Sequence, residues 1–169
     1  MSSIATERLV LKPTTVEDAA FILELLNSPK WLKFIGDRNV KSIAEAEAYI
    51  KERMLPQFER LGFTNNVVIR KADGKKIGAC GLYDRDGLEG IDIGFAFLPG
   101  FEGQGYGYES ASALLQTGFK DYKLNRVIAI TSKHNIPSQN LLIKLGLSFE
   151  SMITLPYENE ELMLFSIEN

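Results

Sequence analysis

The sequence predicts a mixed α/β domain in which a mostly antiparallel sheet carries helices on both faces. Three observations lead there. Ala72-Asp73-Gly74 separates two apolar stretches, Asn66–Arg70 and Lys76–Leu82, and supplies the residues of a tight hairpin turn. A strand, a helix and a second strand then follow over 91–131, as in a β-α-β unit. Finally, strands and helices interleave in the order β-α-α-β-β-β-α-β-α-β, which requires a mixed sheet covered on both sides.

In chain order, ERLVLKP at 7–13 alternates polar and apolar residues at Leu9 and Leu11 before Pro13 and reads as a strand. Thr15 and Asp18 form a variant capping box. Val16, Ala19, Ala20, Leu23 and Leu26 then recur at helical spacing until Asn27 and Pro29 end the helix. A second helix opens after Ser42 with Ile43, Ala46, Tyr49, Ile50 and Met54 on one face, and Pro56 is where it bends or stops. After the hairpin, Ile91–Leu98 is a strand closed by Pro99-Gly100. Tyr106–Tyr122 is a helix that turns Ala111, Leu114, Leu115, Phe119 and Tyr122 inward. Arg126–Thr131 is a β-branched strand, Pro137–Leu145 a short helix ended by Gly146, and Leu162–Ile167 the last strand.

Composition narrows the class. Hydrophobic residues make up 45% and charged residues 24% of 169, which is ordinary for a globular protein with one sizeable core. No repeat, low-complexity run or shift in composition divides the chain, so residues 1–169 are expected to form one domain. Apolar runs fall short of the ~20 residues that span a bilayer. The first residues lack the basic and apolar pattern of a secretory signal, and Cys80 has no second cysteine to pair with. A cytoplasmic location, without membrane attachment, is therefore expected. A net charge of −3 and the lack of basic runs argue against a nucleic-acid partner. No His/Cys/Asp grouping has metal-ligand spacing, so no metal is expected. Monomer and homodimer both stay open.

The stretch LPGFEGQGYGYES at 98–110 carries the chemistry, because Gly103, Gly105 and Gly107 stand between a strand and a helix. Glycines let the backbone approach a ligand closely, and the first N–H groups of a helix, with its dipole, hold an anion such as a diphosphate. A dinucleotide fingerprint fails on spacing: counting from Gly103 its last glycine falls on Tyr108, and from Gly105 on Ser110. The G-x-x-x-x-G-K pattern of a P-loop is absent.

The loop resembles the acyl-CoA motif of GNAT acetyltransferases, commonly R/Q-x-x-G-x-G/A, with Gly105 and Gly107 at its two small positions and Glu102 at its first. That acid departs from the pattern and is expected to point to solvent, leaving binding to the backbone amides. NIPSQNLLIKLGLSFE at 135–150 resembles the family pattern N-x-x-S-x-x-x-L-E-K-L-G-F at Asn135, Ser138, Leu142, Lys144, Leu145 and Gly146. TERLVLKPTTVEDA at 6–19 is similar to the opening of the RimJ/RimL-type branch, which acetylates protein N-termini. The resemblance implies a GNAT fold with a splayed strand pair and acetyl-CoA as cosubstrate. It also implies transfer of the acetyl group to a primary amine, either a protein N-terminal α-amine or a small amine. A non-catalytic acyl-CoA sensor is the alternative that Glu102 leaves open.

By the same resemblance, strand-edge groups on Phe95, Phe97 and Leu98 meet the pantetheine arm, and the loop from Gly103 through Gln104, Gly105, Tyr106 and Gly107 to Tyr108 takes the diphosphate. Asn135, Ser138 and Asn140 are expected along the rest of the cosubstrate. Asp92 is a candidate base or water-positioning group on the face shared with Gly94 and Ala96; otherwise it is a solvent-facing strand residue. Ser138 is a candidate proton donor to the departing thiolate, or a helix cap. Trp31, Phe34 and Arg38 are candidate acceptor contacts, with burial of the aromatics as the other reading. Tyr157, with Glu158 and Glu160, is expected to line the acceptor side and favour a cation. Cys80 reads as a small core hydrophobe and His134 as a solvated loop residue.

Overall fold

Val67 and Val68 are neighbours on one strand and fully buried, yet they belong to different cores, because successive strand side chains leave opposite faces of a sheet. The structure is a computed structural model that describes residues 2–169. Its strands are β1 (Ile4–Ala5), β2 (Leu9–Pro13), β3 (Asn65–Arg70), β4 (Lys76–Asp84), β5 (Ile91–Phe97), β6 (Arg126–Ser132), β7 (Ser148–Thr154) and β8 (Glu161–Glu168). Its helices are α1 (Ala19–Leu26), α2 (Pro29–Phe34), α3 (Ile43–Arg53), α4 (Leu55–Leu61), α5 (Tyr106–Lys120) and α6 (Ile136–Lys144). The strands form one eight-stranded sheet in the order β1-β2-β3-β4-β5-β6-β8-β7.

On one face α5 and α6 pack Ala111, Leu114 and Leu142 against Val68, Cys80, Ile93 and Phe165. On the other, α1 and α3 pack Ile22, Leu25 and Ile50 against Val67 and Ala79. The expected helices on both faces are therefore present, and Cys80 is a core residue. Asp18, itself only 1% exposed, ties the α1 side to the sheet: Lys12 and Lys76 reach its carboxylate at 2.8 and 2.7 Å, and the Thr15 N–H donates to it at 2.9 Å.

Six of the seven strand pairings need no comment; the seventh makes the site. Every neighbouring pair is antiparallel except β5 and β6. These two run parallel and pair only at Ile91 with Val127 and Asp92 with Ile128, while β6 stays paired with β8 from Arg126 to Ser132. Beyond Asp92 the strands part, as the splayed pair requires. Leu98 donates its N–H to the Ile77 carbonyl at 2.9 Å. Ladder bonds alternate along an antiparallel strand, so the peptide groups of Ile93, Phe95 and Phe97 face the opening.

Several elements differ from the sequence expectation. Residues 16–18 form a single 3-10 turn ahead of α1, with Asp18 accepting from Thr15 as a capping pattern demands. The second long helix divides at Met54, and α4 restarts with Pro56 in its first turn, where a missing N–H costs nothing. Pro29 likewise begins α2, in a segment where asparagine and proline signalled only a stop. Strands β1 and β7 were not expected. β7 is an edge strand with a register shift at Phe149–Ser151 and an exposed surface, so no alternation of apolar residues marks it.

Candidate active site

Where β5 and β6 part, two chambers meet. The narrower, about 350 Å³, lies between β5, the start of α5 and α6. Gly103 and Gly105 have φ of 72° and 85°, in the left-handed region that glycine occupies without strain. Gly105 caps α5, accepting the Glu109 N–H on its carbonyl at 3.0 Å. A Cβ on Gly107 would stand 2.9 Å from Leu141 Cδ2, so any other residue here obliges the Leu141 side chain to shift. Among the described residues, the N–H groups of Gln104 through Tyr108 have no hydrogen-bond acceptor. Five donors at the positive end of a fifteen-residue helix are thereby left for a ligand.

Phe95, Phe97, Gly103, Gly105, Tyr106, Gly107 and Tyr108 all line this chamber, as expected of cosubstrate contacts. Three expected residues do not. Leu98 is buried in the α1 side core, and both its peptide groups are engaged, the N–H with Ile77 and the carbonyl with Phe101. Gln104 turns its side chain to the Gly100 carbonyl at 2.7 Å, so only its peptide N–H remains available. Asn140 is exposed on α6 and lines neither chamber, a step of about 100° round the helix from the lining Leu141. Glu102 is exposed, as expected, and at the rim of the chamber it pairs with Lys30 of α2. On the opposite rim the Lys144 ammonium sits 4.4 Å over the Tyr108 ring.

Asn135, Ser138, Trp31, Phe34 and Phe95 line both chambers. Asn135 is the N-cap of α6, its Oδ1 accepting the Ser138 N–H at 3.3 Å. Ser138 is thus three positions inside the helix and is not its cap; its hydroxyl makes no hydrogen bond among the described residues. Trp31 contributes a buried indole Nε1 with no partner among the described residues. An orphaned buried donor costs about 1–3 kcal/mol, so its position at this junction fits a place that an acceptor atom of a ligand comes to occupy.

The wider chamber, about 630 Å³, opens on the other side of the junction and includes Arg38 and Tyr157. Asp92 is 1% exposed in its floor, not solvent-facing, and Arg85 grips it with Nε and Nη2 at 3.3 and 3.2 Å. Burial pushes the Asp92 carboxyl above its ordinary range, and the guanidinium only partly opposes this. Tyr157 is exposed and donates its hydroxyl to the Asp86 carbonyl at 3.3 Å. Glu160 accepts from Ser132 at 3.2 Å. His134 is an exposed loop residue.

Arg85 and Tyr83 are lining residues that sequence reasoning missed. Tyr83 donates its hydroxyl to Asn65 Oδ1 at 2.5 Å, and a Cβ on Gly81 would fall 2.5 Å from that hydroxyl. The signal for both lay in the β4–β5 hairpin: Tyr83 pairs across to Asp92, which sets Arg85 beside the carboxylate. Gly81 and Gly94, paired with each other, clear a floor for the Tyr83 ring.

The profile of the acetyltransferase (GNAT) domain matches residues 8–148. The chain is 29% identical over 159 residues to the uncharacterized N-acetyltransferase YnaD of Bacillus subtilis, covering 93% of this chain and 90% of that protein. Among solved structures, a GNAT-family acetyltransferase from Bacillus anthracis superposes with a TM-score of 0.80 at 25% identity, covering 99% of this chain and 98% of that one. RimJ of Mycobacterium smegmatis, solved with CoA-disulfide, has a TM-score of 0.79 at 17% identity, covering 99% and 87%, and so shares the fold.

Proposed function

The chain belongs to the GNAT acetyltransferase family, and we propose that it moves the acetyl group of acetyl-CoA to a primary amine, a peptide N-terminal α-amine or a small amine, by direct attack. The family's enzymes use acetyl-CoA. The observation that carries the proposal for this chain is the set of unengaged N–H groups at the start of α5, opening onto the gap where β5 and β6 separate. A diphosphate on those amides sets the pantetheine arm along β5, where the free peptide groups of Phe95 and Phe97 receive it as an added strand. The thioester then lies near the junction of the two chambers, and the amine enters through the wider one.

In the reaction the amine nitrogen bonds to the acetyl carbon, the carbon–sulfur bond breaks, and CoA departs as a thiolate. The amine must be neutral to attack. At pH 7 that costs about 4.6 kcal/mol for a lysine-like amine of pKa ~10.4 but only about 1 kcal/mol for an α-amine near ~7.8. This difference, and the RimJ/RimL-like opening segment, favour an α-amine. Asp92, with its raised proton affinity, takes the amine proton directly or through a water. The Ser138 hydroxyl, free of other partners, gives its proton to the thiolate and regains one from water, while Asp92 releases the amine's proton to solvent. Glu158 and Glu160 favour a cationic acceptor at the mouth.

Thiol release from acetyl-CoA, followed with a panel of peptides and small amines, tests the reading. Release that depends on an amine, fastest with free N-termini, is the expected result. Acetyl-CoA should raise the melting temperature while ATP and NAD leave it unchanged. The reverse pattern would overturn the assignment of the loop.

A further inference from the structure

The amides of the diphosphate loop do not aim themselves. Arg8, on the corner before β2 and nearly a hundred residues upstream of the loop, donates from Nη1 to the Gln104 carbonyl at 3.1 Å and from Nε to Glu109 Oε1 at 2.7 Å. Its guanidinium lies 4.4 Å over the Tyr106 ring, and its Nη2 would stand 3.2 Å from a Cβ on Gly105. Glu109 is fixed further by Thr6 Oγ1 at 2.6 Å and by the Arg8 N–H at 2.8 Å.

Two consequences follow from elementary geometry. A trans peptide points its carbonyl and its N–H in opposite directions, so holding the Gln104 carbonyl on the Arg8 side sends the Gly105 N–H toward the chamber that Gly105 lines. Meanwhile Glu109, an acid in the first turn of the anion-binding helix, is held by Arg8 and Thr6 behind the loop.

We infer that Arg8 is a positioning residue for the cosubstrate: it orients the Gln104–Gly105 peptide plane and neutralises Glu109, so that the loop accepts a diphosphate although Glu102 stands where the motif it resembles has Arg or Gln. The inference rests on the reading that these amides bind the diphosphate of CoA. Arg8 touches no reacting atom, so its removal acts on cosubstrate affinity and leaves the chemical step alone.

The test compares acetyl-CoA with S-acetylpantetheine, which has the same thioester arm and no diphosphate, in the wild type, Arg8→Ala and Arg8→Lys. In Arg8→Ala, KM for acetyl-CoA rises by about tenfold or more, the scale of one lost charge-assisted hydrogen bond, while KM for S-acetylpantetheine and kcat stay unchanged. Arg8→Lys, which keeps the charge but not the fork, falls between. A preference for acetyl-CoA that survives in Arg8→Ala, or an equal loss with both thioesters, overturns the role of Arg8. Should Arg8→Ala fail to fold by circular dichroism, Arg8→Lys decides: a reduced preference supports the inference and a full one overturns it. A wild type with no preference between the two thioesters fails earlier, on diphosphate binding itself, and takes the inference with it.

Discussion

The two chambers are made from different materials. The narrow one is built from backbone: unengaged N–H groups on α5, free peptide edges on β5, and glycines whose lack of a side chain is their function. The wide one is built from side chains drawn from α2, β4, β5 and the loop before β8, with Asp92 and Arg85 paired in its floor. Backbone recognition depends on the fold and tolerates substitution at most positions. Side-chain recognition depends on a few residues and can be rewritten by changing them. One scaffold thereby keeps a single cosubstrate while its acceptor is free to vary.

The contrast is also visible in two carboxylates that are each 1% exposed. Burial pushes Asp18 up, but hydrogen bonds from Lys12, Lys76 and Thr15 outweigh it and hold the carboxyl below its ordinary range. Asp92 lies deeper, with one guanidinium and its own peptide N–H in place of two ammonium groups and the Thr15 N–H, and burial wins. Equal exposure thus yields a fixed anion in the scaffold and, in the wide chamber, a carboxyl of raised proton affinity.

Asp92→Asn breaks the contrast most severely if it is wrong. It should lower kcat by about a hundredfold or more, the usual yield of a positioned base, while the CoA dissociation constant stays unchanged. In the wild type, activity should rise with pH along a limb lying above the ordinary carboxylate range, because the base form appears only as Asp92 loses its proton. That limb should vanish in the variant. Gly105→Val probes the other chamber. A β-branched residue at φ 85° is strained by about 2 kcal/mol, so KM for acetyl-CoA should rise by about thirtyfold with kcat and the acceptor KM preserved. Glu102→Gln should have the smallest effect, within about threefold in KM for acetyl-CoA, because its partner Lys30 is largely exposed and such pairs are weak.

Much of the narrow chamber was legible in the sequence because glycine spacing and a helix start are local features. Even there, Leu98 and Gln104 required coordinates: which way a peptide group points depends on its ladder partner, Ile77 for one and Arg8 for the other. Asn140 was assigned one rotation away from the face that α6 presents. Of the wide chamber the sequence named Trp31, Phe34, Arg38, Asp92, Ser138 and Tyr157, which all line it, but not the rest of its floor. Arg85 and Tyr83 enter it through hairpin register, and the same register makes Asp92 a buried pair with Arg85 instead of a surface residue. Among the elements, β7 and α2 escaped because one is an exposed bulged edge and the other starts at a proline that also reads as a stop.

Among the described residues, the two pairings between β5 and β6 alone join β1–β5 to β6–β8 within the sheet. Mechanically, the sheet is two plates riveted at one end, and a linear molecule slid into the open end acts as a splint. If the pantetheine arm is that splint, every release of product returns the plates to their looser coupling. The catalytic cycle is then also a cycle of stiffness, obtained from a seam left unzipped and without any separate hinge.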